Sequence, residues 1–520
     1  MTERPPFLTH ASPEIARWFD LPDAGAWRKA ATAMLKGGDP DSLIRALPEG
    51  VSCEPLFGGP LTVDSGSPDA PPYVRGSHVA DRRAAGWDVR AQVEAGSLGE
   101  ASTAAAADLG RGARSLWIEP AAAGVVTLAD LDALLSGVDL AATPIHLEAH
   151  GSARTWLAAL TALSRARGVK SEALTGSIAC DPAGTLARTG SLPGSVDDAY
   201  ADLAAAIGDA RHTPWVHLIA CSGLPYADAG AHGVQELAIV LAAGAEALRR
   251  LGALGLTVAE VAPRVLLQLS VGTDTFVEIA RLRALRGLWS RLIAACGGDD
   301  EAQRAFVHAV SARSVLTRRD PWVNTLRATG AGFSAAVGGA DAISLRNWDE
   351  LLGLPDDSAR RLSSTGQVVL EAEAHLSRVA DPAGGSWYLE AMTDRLARAA
   401  WEAFQKIEAQ GGLIAALKSG WIDGWIAEAR AERLAAVVAK RRPILGVSVH
   451  PNKAEELPAR AARVVASSTL EAASGDTLDA LIHSLQAGRA IAPIIHGDTI
   501  VPLPLFTDEG AWDAGQEVAR

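Results

Sequence analysis

The stretch "CSGLPYADAGAHGVQEL" (221–237) has the layout of a reaction centre. An apolar run, "VHLIA" (216–220), feeds it, and a helical pattern, "GVQELAIVLAAGAEALRRL", leaves it. Parallel α/β barrels carry their reactive side chains on such strand-to-helix loops. Chemistry there needs reactive or polar groups. The two positions best placed to supply them are Leu224, which has no polar atom, and Pro225, which lacks even a backbone N–H. Asp181, at the end of an earlier run "TGSIACDP" (175–182), is a carboxylate in position to touch a ligand. It precedes a proline, as does Asp320, and turn initiation is the plainer role for both.

Other reactive side chains form no constellation. His146, His150, His217 and His308 fall on strand-like runs without a motif, the pattern of hydrogen-bonded core histidines. Cys53, Cys180, Cys221 and Cys296 are scattered, with no metal-ligand or disulfide spacing. "GGSW" (384–387) is a weak phosphate-loop signal and reads more simply as a glycine turn. The arginines of "RLRALRGLWSRL" (281–292) are expected to cover the outer surface and pair with carboxylates. A net charge of −13 argues against a nucleic-acid partner. The N-terminus has no apolar leader, and no apolar run is long enough to span a membrane, so a cytoplasmic protein is expected.

Eight short apolar runs position these residues: 86–93, 115–120, 145–150, 175–182, 216–223, 264–272, 305–312 and 341–347. Most are separated by Ala/Leu-rich helical stretches, and they suit parallel strands buried on both faces. Val234, Leu237, Leu241, Leu248 and Leu251 line one helical face, and Thr275 with Glu278 predicts a capping box. Eight β/α units over roughly 260 residues predict a TIM (β/α)8 barrel. The expected division is a helical arm rich in Trp, Phe and Leu (1–55), the barrel (56–395), and a helical and mixed C-terminal extension (396–520). "RRPILGVSVHPN" (441–452) is read as one further strand, and Trp18, Trp27 and Trp512 as either contact anchors or residues of the chain's own core.

Several motifs together resemble the methylmalonyl-CoA mutase family. They are "DAGAHGVQELAIVLA" (228–242), "FVEIARLRALRGLW" (276–289), "RDPWVNTLRATGAGFSAAVGGADAISL" (319–345), "VADPAGGSWYLE" (379–390) and "ILGVSVHPN" (444–452). The resemblance implies a barrel that holds an acyl-CoA along its axis. It also implies a separate flavodoxin-like domain for adenosylcobalamin, and in many bacteria a pairing of a catalytic large subunit with a related non-catalytic small one. Catalytic members carry Tyr-His where this chain has Leu224 and Pro225. The family's Tyr-Asp-Ser-Asp loop is replaced by "AAAGVVTLADLDALL", the Arg-Thr-His-Ser-Gln loop is reduced to "SARSVLTRRDP", and Ile343 stands where a Gln is expected. Asp181, Ser222, Leu224, Pro225 and Ile343 are therefore read as degenerate barrel-mouth positions, with no catalytic, cofactor-binding or metal-binding residue assigned. No histidine fits the Asp-x-His-x-x-Gly cobalt-ligand signature, and no complete cobalamin domain is expected. The resemblance thus implies a small subunit whose large-subunit partner binds adenosylcobalamin and the acyl-CoA, with neither nucleic acid nor membrane as partner. The alternative is a substrate-binding subunit that works with a separate cobalamin-binding chain.

Overall fold

The computed structural model describes residues 24–58, 65–149, 152–213, 216–463, 477–491, 501–510 and 513. A two-stranded antiparallel hairpin, β1 (Arg45–Ala46) and β2 (Ser52–Cys53), precedes the barrel. Eight parallel strands then close on themselves: β3 (Asp88–Val93), β4 (Ser115–Ile118), β5 (Ile145–Leu147), β6 (Gly176–Cys180), β7 (Val216–Ser222), β8 (Val265–Val271), β9 (Phe306–Ser311) and β10 (Ala342–Ser344). β10 pairs with both β3 and β9, and every other strand pairs with its sequence neighbour. All eight expected runs are strands, and the TIM barrel with its helical additions is the fold.

Alternation along the strands divides the interior into two environments. Outward residues such as Val89, Leu116, Ile118, Ile178, Leu267, Leu269, Val307 and Ile343 join one continuous apolar core beneath the helices. The inward face is largely polar or aromatic: Asp88, Arg90, Ser115, Trp117, His146, Ser177, Gln268, His308 and Ser344. The helix Gly233–Ala253 is buried almost all round its first three turns, because the Trp387–Ala409 helix covers the side away from the barrel. His232 and Gln235 form a capping box at its start.

The structure corrects several expectations. Thr275 and Glu278 form no capping box: Asp274 is the N-cap residue, and Glu278 turns inward to Arg281 at 2.5 Å. The segment 441–452 is a turn closed by a single bridge, Leu445 to Val449, rather than a strand. A boundary at 395 falls inside the Trp387–Ala409 helix, which packs on the barrel helices. The arm divides in two. The helix Ala24–Met34 has no buried side chain among its described residues, whereas Leu47, Cys53 and Phe57 pack into the main core. Trp27 is half-exposed on that outlying helix, while Trp18, Trp512 and His150 lie outside the described residues.

Of the arginines of 281–292, Arg281 and Arg283 pair with carboxylates as expected, but these two and Arg286 are buried rather than superficial. Arg281 bonds Glu236 at 2.6 Å and Glu278 at 2.5 Å. Arg283 bonds Glu390 at 2.8 Å and also Asp381, which in turn accepts Arg75 at 2.7 Å. Arg286 donates to the carbonyls of Tyr73, Val74, Gly338 and Gly339, and burial pushes its guanidinium down to about 10. The motif at 379–390 is thus a socket for Arg75 and Arg283. A Cβ on Gly384 would stand 2.7 Å from the Arg75 guanidinium and closer still to Asp381, so the glycine pair serves this turn.

Candidate functional site: a plugged barrel mouth

β7 ends at Ser222, and the chain turns at once into a single helical turn, Leu224–Asp228. Proline fits the first turn of a helix, where its missing N–H would have no intrahelical partner. Pro225 therefore shapes this turn at no cost in hydrogen bonds. Leu224 then points back over the barrel and meets Trp117 from β4 and Val310 from β9 in a small cluster of its own. All three are buried, so residues from three separate strand ends close the C-terminal mouth.

Below this plug, rings reach across the interior and hydrogen bonds run around its wall. Trp117 meets His308 edge-on at 5.3 Å. Phe306 of β9 stacks on His217 of β7 at 4.7 Å and lies 6.0 Å from the Arg90 guanidinium. Arg90 bonds Asp88 at 2.9 Å, and Ser115 donates to the same carboxylate at 2.7 Å. A directed chain links the far wall. Ser222 Oγ donates to Gln268 Oε1 at 2.6 Å, and Gln268 Nε2 donates to His308 Nδ1 at 3.1 Å. That leaves His308 Nε2 to donate to Ser344 Oγ at 2.8 Å, and Ser344 donates to the Arg90 carbonyl at 2.9 Å. Burial, and then the Arg90 charge, hold His146 and His308 well below the usual histidine range and His217 at about 4. A neutral His308 is what this chain of bonds requires. These histidines are core residues, in keeping with their lack of a motif.

Beside the plug lies a pocket of about 20 Å³, lined by Glu148, Asp181, Arg188, Ser222, Pro225 and Gln268 among others. It has room for one or two waters. Asp181 caps the helix Pro182–Thr189 by accepting the Gly184 N–H at 2.8 Å, and it also accepts the Ser222 N–H at 3.2 Å. The turn-forming role expected of it is therefore visible. Sequence reasoning missed Arg188 and Glu148, which pair at 2.5 Å in the same pocket. Arg188 sits inside the Pro182–Thr189 helix, well past the strand-end signal that marks Asp181. Asp181, Ser222, Leu224 and Pro225 do come together at the mouth. Ile343 does not: Ser344 faces the axis, so Ile343 faces the outer core.

Burial raises the Asp181 carboxyl to about 6, with its two backbone donors only partly offsetting the effect. The folded state thus favours its protonated form. Its contribution to stability is full below the unfolded value near 4 and is lost as pH rises through 6, a span of roughly 2–3 kcal/mol. Asp181→Asn keeps a capping acceptor but cannot ionise. Urea midpoints measured from pH 4 to pH 7 should shift progressively in favour of the variant. Parallel pH profiles would show that Asp181 is not ionising in this window.

Fold and mouth together define the class: a (β/α)8 barrel with strand-end loops of the enzyme type, closed rather than open at its C-terminal face. The chain belongs to the methylmalonyl-CoA mutase family, whose model matches residues 49–484. It is 39% identical to the methylmalonyl-CoA mutase small subunit of Streptomyces virginiae over 84% of this chain and 70% of that relative. It is 34% identical to a probable small subunit of Mycobacterium tuberculosis, covering 83% of this chain and 72% of the relative. The methylmalonyl-CoA mutase of Escherichia coli is 29% identical over 78% of this chain and 61% of that protein.

The family uses adenosylcobalamin, and the mouth of this barrel does not fit it. A planar macrocycle needs an open face, whereas this one holds a 20 Å³ pocket beside an apolar plug. The face is further overlaid by C-terminal residues: Arg460 bonds Asp349 and Asp356, and Arg463 bonds Glu94 and the Glu350 carbonyl. Among the described residues no group of His, Cys, Asp and Glu is arranged to hold a metal ion. No helix among them is long and apolar enough to cross a membrane.

Proposed function

We propose that this chain is the small, non-catalytic subunit of a heterodimeric methylmalonyl-CoA mutase. Its homologous large subunit binds adenosylcobalamin and interconverts methylmalonyl-CoA and succinyl-CoA. The observation that carries this reading is the plug: Leu224, Trp117 and Val310 close the mouth, where the family resemblance implies that catalytic members hold the substrate. The rings of Phe306, His217, Trp117 and His308 fill the axis behind it. Such an interior serves folding, and the surface is what remains for function. The outlying helix Ala24–Met34 supports a partner, because a helix of 11 residues is marginal in water unless its apolar side is covered.

The test is a repair. Leu224→Tyr with Pro225→His restores the side chains that the family resemblance implies for catalytic members. No isomerisation should follow, even with a cobalamin-binding chain supplied, since groups that act as a unit give little until all are present. The axis would also remain filled. Measurable conversion of methylmalonyl-CoA by the double variant would instead favour a substrate-binding subunit that works with a separate cobalamin-binding chain.

A further inference from the structure

Residues 501–510 run across the C-terminal face of the barrel as an extended strap ending in a helical turn. Three anchors fix the path. The Leu503 N–H donates to the Ala187 carbonyl at 2.8 Å, beside Arg188 of the mouth pocket. The Phe506 N–H donates to the Asp228 carbonyl at 2.7 Å, at the end of the turn that carries Leu224 and Pro225. Glu509 accepts the backbone N–H groups of Arg318 and Arg319 in the loop after β9. The strap therefore links the helix after β6, the turn after β7 and the loop after β9, and its first two anchors flank the pocket.

Two features mark this as a built contact. Asp508 and Glu509 are each only 5% exposed, although burying acids is costly unless they are paired. Arg433 bonds both oxygens of Asp508, and Arg442 adds a third bond at 3.0 Å. Phe506 lies against Gly230, where a Cβ would come within 3.3 Å of the ring and where φ is +102°, while the Arg433 guanidinium covers the ring at 5.5 Å. Leu505, between the Leu503 and Phe506 anchors, is 67% exposed, so the strap has an inner and an outer face.

We propose that residues 501–510 are an intramolecular seal that bars small molecules from the mouth pocket. Its contacts all lie within this chain, so the seal is independent of the subunit assignment. Opening the seal requires release of the Asp508 and Glu509 anchors, and it leaves the barrel intact.

Thiol labelling tests it. Ser222→Cys places a reporter in the pocket, in a background with Cys53→Ser and Cys296→Ser. The buried Cys180 and Cys221 remain as internal controls for barrel opening. In the full chain the reporter should react with a small neutral thiol reagent as slowly as these two. Asp508→Asn with Glu509→Gln, or removal of residues 501–520, should speed its labelling by about tenfold or more, as expected for a local opening, while the controls stay silent. Rapid labelling in the intact chain, or equal rates with and without the anchors, would overturn the seal. If the truncation makes Cys180 and Cys221 react, the point variants decide on the same criteria. Should those also expose the controls, the strap is part of the barrel's fold and the proposal of a separable seal fails.

Discussion

Arg283→Ala should destabilise the barrel by about 3–5 kcal/mol, the cost of leaving buried charges without their partner. Arg283 is fully buried and joins Asp381 to Glu390, and its loss takes a partner from both carboxylates. Arg75 remains on Asp381, so Glu390 bears most of the effect, with Ser65 and the Gly385 N–H as its other bonds. A urea or thermal unfolding curve reads the change. Arg398→Ala removes an exposed pair with Asp394 on the Trp387–Ala409 helix and should leave the midpoint where it was. Equal midpoints for the two variants would show that the buried cluster contributes little. Glu390→Gln in the Arg283→Ala background should recover part of the loss, because it removes one stranded charge.

Removing residues 1–38 should weaken capture of the large subunit by about 100-fold or more while leaving barrel stability nearly unchanged, since interface energy concentrates in a few anchors. The cut is placed before Pro40 and Leu47, which are buried in the chain itself. It removes the outlying helix with Trp27 and Met34, the latter 87% exposed. An obligate interface of roughly 2,000 Å² or more is expected for such a pair. Co-expression and pull-down, alongside a melting curve of the truncated chain, separates the two effects. Undiminished capture would remove the arm from the interface.

The sequence reveals the strands because each barrel strand turns an apolar face to the helices, and that face alone makes a run visible. It conceals the interior. Ser115, Ser177 and Ser344 are small enough to pass unnoticed within such runs, yet they bond Asp88, His146 and His308 on neighbouring strands inside the barrel. The arginines at 281, 283 and 286 look superficial in sequence because the groups that hold them lie far away in the chain, at Glu236, Asp381, Glu390 and the Tyr73 carbonyl among others. Glu278 matches a capping-box spacing, but a nearby arginine offers it a stronger partner. At the mouth, the loss of donors at Leu224 and Pro225 is legible as residue types. That Leu224 meets Trp117 and Val310 is not, because the three converge from β4, β7 and β9 only once the barrel closes. Ile343 is misplaced for a related reason: a single substituted position does not reveal which face of its strand it occupies.

The central claim is that this barrel acts through a catalytic partner, and paired purification tests it most directly. The chain is purified alone and together with a co-expressed homologous large subunit. Each preparation is passed through gel filtration after incubation with adenosylcobalamin and is then assayed for conversion of methylmalonyl-CoA to succinyl-CoA. The account predicts that the chain alone retains no cobalamin absorbance and converts no substrate, while the pair elutes as a one-to-one complex that does both. Cobalamin retention and turnover by the isolated chain, or a large subunit that elutes separately from it, would contradict the account.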